Sequence, residues 1–330
     1  MREVAALAGV SLKSVSRVIN AEPAVSPELA SRVHAAVELL DYRHNRTASS
    51  LRRSDGRSAA IGVLLEDVAN PFSSTLHREI ENVALKRGVL VFAGSSDEDA
   101  ERERSLIAEF TSRRVDGLII VPASHDHSYL LSERRAGTAM VFVDRPAAYL
   151  DADTVLTDNQ GGTRAGIAHL LDRGHRRIGY LGDLETIATA AWRFQGYSSE
   201  LAAQGIELDP GLVRLDLRGI ESAATAAAEL LSVAAPPTAI FAGQNLLTIG
   251  AYRALRKLDL HHRVALVGFD DFLLADLLEP GITVVAQDPA ALGRTAVELL
   301  FRRLDGDRSP SIHAVIPTRL IPRGSGEIQP

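Results

Sequence analysis

Apolar residues in the first forty positions recur at three- and four-residue spacing, broken by short polar stretches. Val4, Leu7 and Ala8, then Leu12, Val15, Val18 and Ile19, flank Gly9-Val10-Ser11, a pattern that predicts two short helices joined by a tight turn. Gly9 is placed to take a positive φ at the turn, and Ser11 to cap the second helix through its hydroxyl. Small Ala5, facing Val15, lets the two helices cross closely. Ser26-Pro27-Glu28 then reads as a capping hydroxyl before a proline at the first helical position, with Val33, Val37 and Leu40 as the buried stripe of a third helix. From about Ser58 the pattern changes. Short apolar runs at 61–65, 89–93, 117–121 and 139–143, and again at 177–181, 212–215, 238–242 and 264–269, alternate with segments of helical period. Runs of this kind are buried parallel strands, so the expected fold class is α/β: a three-helix head, then a two-lobed body of doubly wound parallel sheets.

The first two helices with their glycine turn form a helix-turn-helix signature, in which the second helix lies in a DNA major groove and its N-terminal side chains reach base edges. The bland reading is an ordinary helical subdomain; the combination of Ala5, Gly9, Ser11, Val15, Ser16 and Arg17 argues against it. Charge changes the picture once it is divided along the chain. Of 36 Lys and Arg and 42 Asp and Glu, residues 1–57 hold nine and six, leaving 27 against 36 for the rest. A small basic head on an acidic body suits a head that meets phosphate.

Composition mainly excludes. The 330 residues, 46% hydrophobic and 24% charged, can bury more than one core. No cysteine is present, which rules out disulfides, thiolate metal sites and cysteine nucleophiles. No run of eighteen apolar residues and no secretory pattern occurs, so no membrane role and a cytoplasmic, nucleoid-associated location are expected. The G-x-S-x-G, GxxxxGK[ST] and HExxH motifs are missing, and Gly161, Gly162 and Gly166 do not fit G-x-G-x-x-G. An enzyme is therefore not expected, and neither are catalytic residues or a cofactor. His125-Asp126-His127 hints at a metal site but reads better as solvated loop, so no metal is expected.

With those residues in view, the chain resembles the lactose-repressor and galactose-repressor (LacI/GalR) family essentially end to end. VAALAGVSLKSVSRVIN and AVSPELASRVHAAVELLDYRHN look like the family's headpiece; NPF at 70–72, RRVDGLIIVPA at 113–123, DNQGG at 158–162, GHRRIGYLG at 174–182 and VGFDD at 267–271 follow in the family's order. The resemblance implies a periplasmic-binding-protein-like (type I) body and a division into a headpiece at 1–44, a hinge helix and linker at 45–57, one lobe at 58–156 with 288–314, and a second at 157–287 with 315–330. It implies DNA contacts from Leu12, Lys13 and Arg17 at base edges, with Ser11, Ser16 and Asn20 nearer the phosphates, and a further contact from Asn45. Arg17 is the best candidate for bidentate contact with a guanine. Asn45–Arg53 is too short to hold a helix alone, and the resemblance makes it a hinge helix that wedges Leu51 into the minor groove; the competing reading is a flexible Arg-rich tether. Three departures stand out: Met1 lies inside the usual first helix, so the customary upstream cap is missing and an earlier start is implied; Asp41 and His44 replace a glycine and a proline; and Gln244-Asn245 replaces Asn-Asp.

A cleft between two such lobes lies at the carboxyl ends of the strands, where open parallel sheets place ligands. Phe72, Ser73, Arg193, Asn245, Asp270 and Gln287 are the implied effector contacts: a carboxylate, a guanidinium and an aromatic platform suit a sugar's hydroxyls and its C–H face. Arg193 is expected at the start of a helix, Trp192 on the cleft wall. The plain alternative is an interlobe salt bridge between Arg193 and Asp270. The expected function is that of a homodimeric regulator on a pseudo-palindromic double-stranded operator, a repressor by resemblance, with a small polar effector, of carbohydrate type, setting its affinity. A periplasmic solute-binding protein shares the body but has no use for the head. A sugar-processing enzyme needs an acid and a base in the cleft, for which Asp270-Asp271 is the one adjacent pair.

Overall fold

The structure, a computed structural model, describes residues 1–19, 25–42 and 57–330. It separates into two compact units, residues 1–58 and 59–330.

The first unit holds α1 (Arg2–Ala8), α2 (Leu12–Ile19) and α3 (Pro27–Leu39). Gly9 ends α1 with φ 63°, a left-handed turn that costs a glycine nothing. Ser11 Oγ accepts from the Ser14 amide at 3.1 Å, and Ser26 Oγ from the Leu29 amide at 3.3 Å, so both following helices start on hydroxyl caps. The core is Val4, Ala5, Ala8, Val15, Val18, Val33 and Ala36. Two expected core positions are corrected: Leu40 is 39% exposed because α3 ends at Leu39 and Ala36 fills the stripe instead, and Leu7 is 52% exposed on the outer face of α1. Asp41, where a glycine is usual, keeps a positive φ of 41°, a conformation that Asp tolerates better than most residues.

Arg32 closes this small core. From α3 its guanidinium donates to the carbonyl oxygens of Ala8 at 2.6 Å and Gly9 at 3.3 Å, satisfying acceptors that the end of α1 leaves over. Arg32→Ala should therefore cost the head about 1–3 kcal/mol. Limited proteolysis and operator binding are expected to report this loss while the thermal transition of the body stays unchanged.

The second unit contains two six-stranded sheets of matching plan. The first runs β1 (Ala60–Leu65), β2 (Leu90–Ser95), β3 (Gly117–Ile120), β4 (Ala139–Val143) and β5 (Asp153–Thr157), with α4 (Pro71–Lys86), α5 (Ala100–Ser112) and the short α6 (Leu131–Arg135) between strands. The second runs β6 (Ile178–Leu181), β7 (Val213–Arg214), β8 (Ala239–Ala242), β9 (Ala265–Phe269) and β10 (Thr283–Ala286), with α7 (Asn159–Asp172), α8 (Ala188–Ala203), α9 (Gly219–Leu231) and α10 (Asn245–Lys257). The chain then returns through α11 (Pro289–Leu304) to β11 (His313–Ile316) on the first sheet and crosses again to β12 (Arg319–Ile321) on the second. The strand orders are β11-β5-β4-β3-β1-β2 and β12-β10-β9-β8-β6-β7, all parallel except β12 on β10.

Each sheet is covered on both faces, as its unbroken apolar strands require: β1 and β8 are buried at every position. Leu76, Ile80, Leu292 and Val297 pack one face of the first sheet, while Ile107, Phe110 and Leu130 pack the other. Four strands lie outside the apolar runs picked out along the chain: β5, β10, β11 and β12. β11 continues to Ile316, paired with Thr157, so the third crossing between sheets falls at 317–318, past the expected boundary at 314–315. His175, from the GHRRIGYLG stretch, is buried between Thr238 Oγ1 and the Ile328 carbonyl, each at 2.8 Å, and ties the C-terminal tail to the second sheet.

Candidate functional sites: a helix surface and an interlobe cleft

On the head, the turn puts the start of α2 in the open. Ser11, Leu12 and Lys13 are exposed, Leu12 at 45% although nothing polar about it asks for water, while Ser16 and Arg17 are half-buried one turn on. Val15 and Val18 hold the opposite side of the helix in the core. One face of α2 is thus fixed by packing and the other presents an apolar, a cationic and a hydroxyl side chain together. Of the expected DNA-contacting residues, Asn20, Asn45 and Leu51 lie outside the described residues.

In the body, the two sheets direct the carboxyl ends of their strands at one cleft. Its wall contains Glu66, Asn70, Phe72, Glu98, Asp144, Arg145, Asp183, Gln244, Arg193, Asp270 and Gln287, and it encloses ≈ 50 Å³, room for a water molecule or two. A second space of ≈ 210 Å³ adjoins it, sharing Glu98, Arg145 and Ile187 and floored by Pro122–His125 and Pro146–Ala148.

Arg193 is held by local sequence. A Cβ on Gly196 would stand 2.7 Å from the Gln160 carbonyl oxygen and 2.8 Å from Thr163 Cβ, so the glycine lets α8 lie against α7. Asp158 caps α7 through the Gly161 amide at 2.8 Å, which sets Asn159 at the start of that helix facing α8. Arg193 Nε donates to Asn159 Oδ1 at 2.7 Å and Nη1 to the Gly243 carbonyl at 2.7 Å; the guanidinium lies 3.9 Å from the Phe269 ring centroid. Its Nη1 is 4.0 Å from Asp270 Oδ2. The expectation that Arg193 begins a helix is corrected: α8 begins five residues earlier, at Ala188, because Arg193 is needed one turn in to reach α7.

Asp270 and its counterpart Asp144 follow the last residues of β9 and β4 with φ of 71° and 69°. Each amide donates across to the next strand, Asp270 to the Val285 carbonyl and Asp144 to that of Val155, both at 2.9 Å. This repeated turn aims one carboxylate from each lobe into the cleft. Gln287 Nε2 donates to Asp270 Oδ1 at 2.6 Å, and Asn245 Nδ2 donates to Asn70 Oδ1 at 3.0 Å, a contact from one lobe to the other. Phe72, Arg193, Asp270 and Gln287 therefore share the wall, Asn245 stands behind Asn70, and Ser73 is buried in α4 away from it. Trp192, expected on the cleft wall, is half-buried and not part of it.

Five charged wall residues escaped the sequence reading: Glu66, Glu98, Asp144, Arg145 and Asp183. The rule that ligands gather where strands end would have found Glu66 and Asp144, which directly follow β1 and β4. Arg145 grips Glu98 bidentately at 2.6 and 2.7 Å and donates to the Pro122 carbonyl at 2.9 Å. Burial pushes Asp144 above the usual carboxylate range against the pull of Arg145 and Arg193. Burial, then the neighbouring charge of Glu98, pushes Glu66 up to about 7. Because the folded chain then holds a proton on Glu66 that the unfolded chain has lost, stability falls as pH rises from about 4.5 to 7. Glu66→Gln should match the wild type below that window and exceed it above by about 1–3 kcal/mol, in denaturant titrations across pH.

The His125-Asp126-His127 stretch divides. His125 and Asp126 are exposed, but His127 is fully buried, its Nδ1 accepting from the Ala148 amide at 3.0 Å and its Nε2 3.5 Å from buried Glu103. The solvated-loop reading is thus corrected for His127, which braces the floor of the adjoining space. Among the described residues no group of three or more His, Cys, Asp or Glu is arranged to hold a metal ion.

Residues 1–45 match the bacterial regulatory proteins of the lacI family, and residues 167–326 match a periplasmic binding protein-like domain. The chain is 34% identical to the HTH-type transcriptional regulator PtxS of Pseudomonas aeruginosa, over 98% of this chain and 95% of that one. The chain belongs to the LacI family. HTH-type transcriptional regulator GalR of Escherichia coli is another relative, 30% identical over 98% of this chain and 95% of its own. Among solved structures, the lac repressor dimer bound to operator and an anti-inducer superposes with a TM-score of 0.87 at 26% identity, over 98% of this chain and 97% of that one. A complex of the transcriptional regulator CelR with cellobiose gives 0.73 at 30% identity, over 98% of each chain. With the LacI family's α/β body and helix-turn-helix head, the chain is a transcriptional regulator and not an enzyme. Among the described residues no helix is long and apolar enough to cross a membrane.

Proposed function

We propose that the chain represses transcription as a homodimer on a pseudo-palindromic operator, acting in the cytoplasm on the nucleoid, and that a carbohydrate-like effector between the lobes sets its affinity for that DNA. The observation that carries the effector reading is the cleft: polar side chains from both lobes converge on a space of only ≈ 50 Å³. A sugar-sized molecule needs more room than that, and a change in the angle between the lobes, or entry into the adjoining space of ≈ 210 Å³, supplies it. A ligand that favours one interlobe angle shifts the population toward it. If the paired heads of a dimer tolerate only the other angle, a coupling of about 1–3 kcal/mol changes operator affinity 5- to 150-fold.

Two surfaces support the dimer. β2 is the edge of its sheet and carries Leu90 and Phe92, 54% and 40% exposed, beside Leu85 of α4 at 68%. On the second lobe, Leu273, Leu274 and Leu277 are 82%, 53% and 74% exposed. Apolar groups on an unpaired strand edge are a liability in a monomer and a natural seat for a second copy. The lac repressor, similar over nearly the whole chain, is described as a dimer on its operator. A gel shift against the promoter beside the chain's own gene tests the proposal: a sequence-dependent shift that weakens steeply with salt is expected. Binding indifferent to sequence sinks it.

A further inference from the structure

The wall of the interlobe cleft is richer in carboxyl groups than in guanidinium groups. Five carboxyl groups and two guanidinium groups share it. Arg145 donates through its two Nη atoms to Glu98 and the Pro122 carbonyl, while its Nε, 3.4 Å from Asp144 Oδ2, makes no hydrogen bond among the described residues; Arg193 donates through Nε and Nη1 to Asn159 and the Gly243 carbonyl. Asp183 is occupied by neutral donors, Gln244 Nε2 at 2.9 Å and the Leu184 amide at 2.8 Å. Glu66 is different: its carboxyl group accepts no hydrogen bond among the described residues, although Glu98, Asp183 and Asp144 all act on it and only Arg145 opposes them. Two further atoms point the same way. Gln287 Oε1 on the wall and Oδ1 of Asn245, a residue 1% exposed that holds the wall residue Asn70, are buried without hydrogen-bond partners, and both are acceptors.

We infer that the effector is a polyhydroxylated amine, a sugar-sized molecule with a protonated amino group that pairs with Glu66 while its hydroxyls serve the remaining acceptors. The inference rests on the cleft being the effector site, as proposed above. A carboxylate or phosphate on the ligand would add an anion to a wall where five carboxyl groups already face two guanidinium groups, each of which already serves protein acceptors. A metal ion does not satisfy the wall either, since its carboxyl groups are too dispersed among the described residues to surround one. An ammonium group beside Glu66 favours the ionised carboxylate, so binding expels the proton that Glu66 carries near neutral pH. That proton goes to the buffer, and affinity rises with pH until the amine itself deprotonates.

The test uses the full-length chain, thermal shift and titration calorimetry, and four matched sets of hexoses: glucosamine, galactosamine and mannosamine; the parent hexoses; the N-acetylated forms; and the hexuronic acids. At least one amine is expected to bind ten-fold or more tighter than its parent and N-acetyl form, with no uronate binding. Calorimetry in buffers of different ionisation enthalpy should show proton release for the amine at pH 7 and none for the parent. Glu66→Gln, which keeps the shape of the side chain, should bring amine and parent within about two-fold of each other. Preference for a parent hexose or a uronate overturns the inference while leaving the effector site standing, as does an amine preference that survives Glu66→Gln. No stabilisation by any member overturns the carbohydrate-effector reading itself, and the inference with it.

Discussion

Replacing Arg193 with methionine is expected to lower the stability of the body by about 3–5 kcal/mol and to remove its response to any sugar that stabilises the wild type, while operator binding without that sugar persists. The size follows from what the guanidinium satisfies: Asn159 Oδ1, the Gly243 carbonyl, the face of Phe269 and, at longer range, Asp270. Methionine fills the volume but leaves buried acceptors unanswered and takes the guanidinium from beside Asp270, which keeps only the neutral Gln287 as a donor, and this costs far more than the pair itself gains. Arg193→Lys should fall between, since an ammonium group lacks the planar fork that reaches α7 and the β8 loop together. Thermal melts with and without sugar, alongside gel shifts, separate the two effects. An Arg193→Met protein that still answers the sugar as the wild type does would leave Arg193 as a purely structural strut and move the effector elsewhere.

The same residue shows what the sequence made legible. The spacing Arg193-x-x-Gly196 marks a glycine that is small for a reason, the close approach of α8 to α7, and that contact is what delivers the guanidinium to the cleft. The head was legible because its helices are amphipathic, the second and third start on hydroxyl caps and the first ends on a glycine, so local chemistry decides them. The strands β1, β3, β4, β6, β8 and β9 were legible because burial on both faces makes them unbroken apolar runs. β5, β10, β11 and β12 were not. β5 and β10 open on polar residues, β11 alternates exposed and half-buried positions, and β12 is three residues long with none buried. Their partners come from far along the chain, as when Thr154 pairs with His313, and no local pattern encodes such a pairing.

In the cleft the division runs along another line. Positions inside a motif that recurs in the LacI family were found, as with Asp270 in VGFDD. Glu66, Glu98 and Asp183 sit in loops whose composition says nothing by itself. Their importance arises only when folding buries them and brings like charges together: Glu66 is raised first by burial and then by Glu98 of its own lobe, with Asp183 of the other lobe adding less, and none of this is written in its neighbours in sequence. The charge that distinguishes this cleft is therefore the part least visible before folding. Asp270 was visible inside its motif, whereas Asp144, which takes the same turn after β4, was not.

In the head, Arg17→Ala is expected to relax base preference at one position of each half-site, whereas Lys13→Ala should weaken binding to all sequences alike. Both side chains lie on α2, whose opposite side is anchored by Val15 and Val18, so neither change should disturb the fold of the head. A guanidinium bonding O6 and N7 of a guanine discriminates against other bases by about 1–3 kcal/mol. In the proposed dimer that loss is incurred at both half-sites, roughly 2–6 kcal/mol in all. At 1.4 kcal/mol per factor of ten, the operator affinity falls by a factor on the order of 30 to 10,000, with little change on unrelated DNA. Loss of Lys13 as a phosphate contact instead lowers the slope of log affinity against log salt by about one unit per chain. Selection of binding sites from random duplexes, followed by salt titration of the winners, distinguishes the two variants. If Arg17→Ala selects the wild-type consensus unchanged, Arg17 does not read a base and the specificity of α2 resides in Leu12 and its neighbours.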